Sequence, residues 1–281
     1  MYKKLGGSMG DFNWSEEYQR FIGRNDGIIT PEQQEKLRKS TACVFGMGGI
    51  GSPAFEVLVR AGIGKFKIVD NDVYDASNMN RQIFANIDTI GKKKILVAKE
   101  VAQKINPEIA IECYERIEEK NINKILSKAD VILLAIDELK PCLIISRAAR
   151  KMKVPVVEGW ALPFGNVRTF TEDTPQLEEA YGLQTLGKEI SNFSDEELRR
   201  MGTELLFSLG KIEGIADYYS DEVIERVASG IIPSFAPMAW LTSVLMANEA
   251  LKILLNIGCI AKGPDFTIYD PYMHRIPSIG S

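Results

Sequence analysis

Val44-Phe45-Gly46-Met47-Gly48-Gly49-Ile50-Gly51-Ser52, read with Ile68-Val69-Asp70 about twenty residues further on, decides how this chain folds. A short β-branched and aromatic run, Thr41 to Phe45, leads into the glycines, and an amphipathic segment, Pro53 to Ala61, follows at once. That order predicts strand, phosphate loop, helix. Glycine is needed because the chain turns with positive φ and brings backbone N–H groups up to a phosphate with no Cβ in the way. A helix starting near Ser52 points its partial positive end at the same anion. A second strand, Lys65 to Val69, delivers Asp70 to where Rossmann-type folds put the acid that accepts hydrogen bonds from a ribose. The stretch alone implies a bound nucleotide and no particular reaction.

Upstream, residues 14 to 40 are polar and predict two helical pieces broken at Asn25-Asp26-Gly27. Thr30-Pro31-Glu32-Gln33 starts the second with an N-cap and a proline at the first helical position. Downstream comes a polar connection, Asn71 to Gln82, and then Gly91-Lys92-Lys93-Lys94, which opens a helix to about Ile105 with Ile95, Ala98, Val101, Ala102 and Ile105 on its core face. Lysines at a helix start oppose the macrodipole, so they suit either a bound polyanion or plain surface charge. Asn106-Pro107 turns the chain into a third strand, Ile109 to Cys113. Ala129 to Asp137, with its continuous apolar run through Ile136, reads as a strand buried on both faces, with Asp137 at its carboxyl end, the edge where ligands collect in open α/β sheets. A helix over 141–152 and a short strand over 154–157 follow. Val167 to Phe170 reads as an antiparallel strand, and Thr174 to Gly230 as a helical insertion with a capping pattern at Ser194-Asp195-Glu196-Glu197. Ala236 to Leu255 is a long apolar helix and Phe266 to Tyr269 a closing strand. The fold class is therefore α/β: a Rossmann-like, mostly parallel central sheet with helices on both faces, a C-terminal antiparallel part and a helical insertion.

The 281 residues suffice for one large domain with an insertion. Apolar residues at 45% and charged residues at 26% fit a soluble globular protein, and a net charge of −4 gives no sign of a nucleic-acid partner. Cysteines stand far apart at 43, 113, 142 and 259, and His274 is the one histidine, so neither a zinc site nor a disulfide framework is expected. That usage fits a reducing cytoplasm, and Met1 to Asn13 lacks a signal-peptide core. Asn248, Glu249 and Lys252 interrupt the apolar helix, which reads as buried rather than membrane-spanning, with a face open to a second subunit. Cys43 and Cys113, at strand positions, read as packing.

Gly46-Met47-Gly48-Gly49-Ile50-Gly51, Asp70-Asn71-Asp72, Ser77-Asn78-Met79-Asn80-Arg81-Gln82, Lys94 and Asp137 resemble, in order and spacing, the adenylation domain of the ThiF/MoeB/HesA family and the related ubiquitin-activating enzymes. The resemblance runs from about Arg24 to Leu255. Its most specific part is the S-N-x-N-R-Q block. It implies residues 1–40 as an N-terminal helical arm and 41–281 as the adenylation domain, interrupted at about 174–230. It also implies an ATP- and Mg²⁺-dependent adenylyltransferase that joins a carboxylate to AMP and releases pyrophosphate. The carboxylate would be the C-terminus of a ubiquitin-like or sulfur-carrier protein, or a small molecule.

Carried over position by position, the resemblance gives Asp70 the ribose and lets Gly46, Gly48, Gly49 and Gly51 admit the phosphates. Asn78, Arg81 and Lys94 would surround the triphosphate, Asp72 and Gln82 are further cofactor-binding positions, and Asp137 would hold Mg²⁺. In the family an arginine near the N-terminus reaches the partner subunit's ATP site in a homodimer; Arg24 is the match and Arg20 the alternative. Departures from the pattern are the missing C-x-x-C pairs and the absence of any cysteine between Cys142 and Cys259, which leave no covalent cysteine step expected. Two rivals stand beside this reading. An NAD-dependent oxidoreductase would leave Arg81, Lys94 and Asp137 unexplained, and a non-catalytic nucleotide-binding partner protein would be expected to have lost its phosphate-handling residues.

Overall fold

In the computed structural model, residues 12–210, 220–228 and 232–272 are described. Seven strands form one sheet: β1 (Thr41–Phe45), β2 (Lys65–Val69), β3 (Ala110–Tyr114), β4 (Val131–Leu134), β5 (Val156–Glu158), β6 (Gly165–Phe170) and β7 (Thr267–Tyr269), in the order β3-β2-β1-β4-β5-β6-β7. The first five are parallel, and β6 and β7 pair antiparallel, which is the mixed sheet expected from the sequence.

The apolar runs are continuous because both faces of the sheet are covered. Ala42 and Val44 of β1 and Val131 and Leu133 of β4 enter one core, under α3 (Gly51–Arg60), α4 (Lys94–Ile105) and α10 (Ala236–Leu255). The alternate residues Cys43, Phe45, Ile132 and Leu134 enter the other, under α5 (Glu119–Leu126), α6 (Leu139–Met152), α7 (Leu177–Ala180) and α8 (Asp195–Gly210). In the insertion α8 is followed by α9 (Asp221–Ala228), and Ser194 and Glu197 close the capping box expected at the start of α8.

The apolar helix α10 is long enough to cross a membrane by length and composition. Its Ala239, Thr242, Ser243, Met246, Ala247 and Ala250 are nevertheless buried, against neighbours that include α3, β4 and β6. Buried Glu249 accepts from Ala261 N and pairs with Lys252. That is the packing of a core helix.

α1 (Glu16–Ile22) and α2 (Pro31–Lys39) flank the expected break, and Thr30 caps α2. Both helices dock at the amino edge of their own sheet. Tyr18 Oη donates to Gly62 O at 3.0 Å, Gln34 Nε2 donates to Tyr18 Oη and Ala61 O, and Arg38 pairs with Glu108 ahead of β3. Leu37 is part of the main core.

Several boundaries move from the sequence reading. β4 ends at Leu134, so Asp137 lies past the strand, just ahead of α6, which starts at Leu139 and takes Pro141 into its first turn, where a missing N–H costs nothing. His274 lies outside the described residues.

Candidate active site

The switch in strand order falls between β1 and β4, where one chain segment turns each way and leaves a crevice at the carboxyl edge. A cleft of about 680 Å³ opens there. Gly46, Gly48, Gly49, Asp70, Asp72, Asn78, Arg81, Gln82, Lys94 and Asp137 all line it, so ten of the residues named from sequence meet in one place.

Two glycines are required by geometry. Gly46 has φ +92°, and a Cβ there would stand 2.2 Å from Ala135 O. Gly51 does not line the cleft; a Cβ on it would stand 1.9 Å from Gly46 O, so it lets the start of α3 pack on the loop.

Asp70 braces that loop: its carboxylate accepts from Met47 N at 2.6 Å and from Asp72 N at 2.8 Å. Two oxygens offer about four acceptor positions, which leaves room for ribose hydroxyls. Lys94, first residue of α4, is buried with its Nζ 2.9 Å from Asp72 Oδ2. Of the three lysines only this one turns into the cleft; Lys93 pairs with Glu115 and Lys92 is exposed.

The Ser77–Gln82 block folds on itself. Asp75 N donates to Asn78 Oδ1 and Ser77 N to Asp75 Oδ1, which builds the short 3₁₀ turn over 76–78. Arg81 Nη1 donates to Ser77 O and Asn80 Oδ1, while Trp240 Nε1 donates to Arg81 O at 2.7 Å. Asn80 Nδ2 reaches Ser234 O, tying the block to the entry of α10. Gln82 is buried and its Oε1 has no hydrogen-bond partner.

Arg24 does not join this cleft in its own chain. It lies exposed at the amino edge, on the turn fixed by Asn25 Nδ2 donating to Gln34 Oε1. Arg20, the alternative, pairs with Glu16 on α1.

Other cleft residues were not named from sequence. Glu115, Arg116 and Glu118 follow β3, and Trp160 and Leu162 follow β5. Both sets sit at carboxyl ends of parallel strands, a rule that could have found them. Leu206 of α8 and Val227 of α9 come from the insertion and carry no such signal.

Two of the four thiols, Cys43 and Cys142, are buried. Burial pushes Cys43 up to about 12 and Cys142 well above the ordinary value, and Cys113 is raised too. Cys259 is exposed.

The ThiF family profile matches residues 22–279. The sulfur carrier protein adenylyltransferase of Thermus thermophilus is 33% identical over 234 residues, covering 82% of this chain and 74% of that one. The SAMP-activating enzyme E1 of Haloferax volcanii is 30% identical over 162 residues, covering 57% of this chain and 59% of that one, so the match spans less than two thirds of that relative. Among solved structures, E. coli MccB with succinimide superposes with a TM-score of 0.68 at 19% identity, covering 97% of this chain and 73% of that one. E. coli tRNA N6-threonylcarbamoyladenosine dehydratase gives 0.62 at 22%, covering 86% and 97%. At those identities the likeness speaks for the fold. With a profile spanning nearly its whole length and a relative of one-third identity, the chain belongs to the ThiF family.

Proposed function

We propose that the chain adenylates a carboxylate: a carboxylate oxygen attacks the α-phosphorus of ATP, the bond to the β-phosphate bridging oxygen breaks, and pyrophosphate leaves an acyl-adenylate behind. The observation that carries this is the single cleft holding the glycine loop, a buried ammonium at Lys94 and the Asp137 carboxylate together. Attack by an already ionised carboxylate needs no general base. It needs the two reactants aligned and the phosphate charge neutralised. Asp70 takes the ribose, the N–H groups of the loop take phosphate oxygens, and Lys94 and Arg81 supply the cationic charge.

Among the described residues no cluster of three metal-ligating side chains occurs. This suits Mg²⁺, which is held by one or two carboxylates plus substrate phosphates rather than by an all-protein cage, and Asp137 is the carboxylate for it. When bound, the ion would neutralise phosphate charge. An NAD-dependent reaction would give Lys94 and Asp137 nothing to do.

The substrate is a C-terminal tail of a ubiquitin-like or sulfur-carrier protein, or a small carboxylate, as the names of the relatives suggest. None of the four cysteines lines the cleft, and Cys43 and Cys142 are buried, so the chain works without a covalent cysteine step, in the cytoplasm, as a homodimer. Exposed Phe235 at the start of α10 and exposed Trp240 and Val244 on it, with Trp240 bonded to Arg81 O, support the dimer, and so does exposed Ile28 on the turn that follows Arg24.

Calorimetry with Mg²⁺·ATP and with NAD tests the nucleotide: tight NAD binding with no response to ATP overturns the reading. Mixing Arg24→Ala with Asp137→Ala chains tests the shared site. About half the dimers would be mixed with one intact site each, so about a quarter of wild-type activity is expected to return. No recovery despite subunit exchange overturns Arg24 acting across the dimer.

A further inference from the structure

The two ends of the cleft differ in chemistry. A nucleotide with its ribose at Asp70, past β2, and its phosphates at the glycine loop, past β1, points its base toward β3 and its α-phosphate toward β4 and β5. The carboxylate must therefore arrive from the β5 side. Trp160 and Leu162, which follow β5, line the cleft there, and Leu206 and Val227 of the insertion add further apolar lining. A reacting carboxylate has no use for an apolar wall; an apolar group next to it does.

Trp160 is held in that wall by a buried relay. Its Nε1 donates to Tyr181 Oη at 2.7 Å, and Tyr181 Oη donates to Glu158 Oε2 at 2.9 Å. Arg168 Nε donates to the same oxygen at 2.7 Å, with both charged side chains only 3% exposed. The Arg168 guanidinium lies 4.2 Å from the Tyr181 ring centroid and 4.1 Å from that of Phe266, and its Nη1 donates to Pro264 O. On the other side Asn166 clamps the Trp160 backbone, accepting from its N and donating to its O at 2.8 Å each. So much buried polar apparatus to orient one half-buried indole is costly unless the position of the ring matters. Tyr181 belongs to the insertion, which therefore sets this wall twice over, through the relay and through Leu206 and Val227.

We propose, resting on the adenylation reading, that this chain selects a carboxylate bearing an apolar side group next to the reacting carboxyl, in preference to a tail of bare glycines. Trp160 is the specificity-determining contact, and Tyr181 is a positioning residue that acts through it.

The test uses N-acetyl-glycyl-phenylalanine and N-acetyl-diglycine as probes, titrated calorimetrically into the full chain with Mg²⁺ and α,β-methylene-ATP, whose α–β bridge cannot be cleaved. The phenylalanyl probe is expected to bind about tenfold more tightly. In Trp160→Ala the preference falls to within about twofold, while the Kd of the nucleotide analogue is unchanged. In Tyr181→Phe, which keeps the ring and removes one hydroxyl, the preference is reduced. There the emission change of Trp160 on probe binding, taken as the difference from Trp160→Phe, is lost. Equal affinities in the wild type, no binding of either peptide, or a preference that survives Trp160→Ala overturns the proposal. An intact emission change in Tyr181→Phe removes Tyr181 from it. Failure of the nucleotide analogue to bind counts against adenylation instead, and the same titrations without nucleotide still read the peptide preference.

Discussion

Replacing Lys94 by Met separates what that residue does for the fold from what it does for ATP. Met keeps an unbranched apolar stem in the space the lysine stem fills and removes only the charge. The lysine side chain is 7% exposed, but its partner Asp72 is 61% exposed, so the pair at 2.9 Å sits at the protein boundary and contributes at most about 1 kcal/mol to stability. That corresponds to a Tm shift of about 2–4 °C or less. An ammonium donating to a phosphate oxygen is a charge-assisted bond worth about 1.5–3 kcal/mol, which is about ten- to a hundredfold in Kd. Calorimetry with Mg²⁺·ATP and a thermal melt on the same sample read both quantities. The expected outcome is a large loss of ATP affinity in a chain that melts almost normally. An ATP Kd within about twofold of wild type would refute the reasoning and make Lys94 a structural counter-ion of Asp72.

Gly46→Ala is expected to cost about 1–3 kcal/mol in backbone strain, because φ is +92°, with the contact to Ala135 O adding to it; a chemical denaturation midpoint equal to wild type would contradict the loop geometry. Changing Cys43, Cys113, Cys142 and Cys259 together to Ala is expected to leave adenylate formation intact in the folded chain, and a substrate thioester trapped on Cys259 would contradict this. For Glu178, burial alone would raise the carboxyl pKa, but hydrogen bonds from Arg147 and Thr185 and the Arg147 charge outweigh it and leave it below the ordinary value. A lowered folded pKa means stability present above the unfolded value and lost as pH falls through the folded one. Denaturation midpoints are therefore expected to drop below about pH 4.3 in the wild type. Glu178→Gln should be less stable at neutral pH and show a flatter acid limb; an unchanged limb would contradict the assignment.

Much of the sheet was legible because the features that specify it are local. Thr41–Phe45 and Val131–Leu134 are apolar at every position because both faces are covered, and glycines mark the turn between strand and helix. The glycine-loop side of the cleft was legible because Asp70 stands where the Rossmann pattern puts its acid and Arg81 and Lys94 match the motifs of the resembled family in order and spacing. The acyl side was not. Trp160, Leu206 and Val227 are brought together by how the insertion lies on the sheet, and an apolar residue in a loop or on an amphipathic helix looks the same whether it faces a core or a cleft. The Arg168–Glu158 pair was hidden for a similar reason: its partners are ten residues apart on two adjacent strands, and only the antiparallel register of β5 and β6 sets them opposite each other. The anchoring of α1 by Tyr18 and Gln34 depends on Gly62, far along the chain, so sequence alone did not show how the helices of the N-terminal arm pack on the sheet of their own chain.

Whether this chain makes acyl-adenylates is tested most directly by exchange of labelled pyrophosphate into ATP, screened over carrier-protein tails and small carboxylates with Mg²⁺ present. Reversible adenylation returns the label to ATP only when a carboxylate substrate is supplied, and the account expects such exchange with at least one of them, falling about 10²- to 10³-fold in Lys94→Met. ATP turnover that yields ADP and inorganic phosphate, with no label entering ATP under any carboxylate, would contradict it.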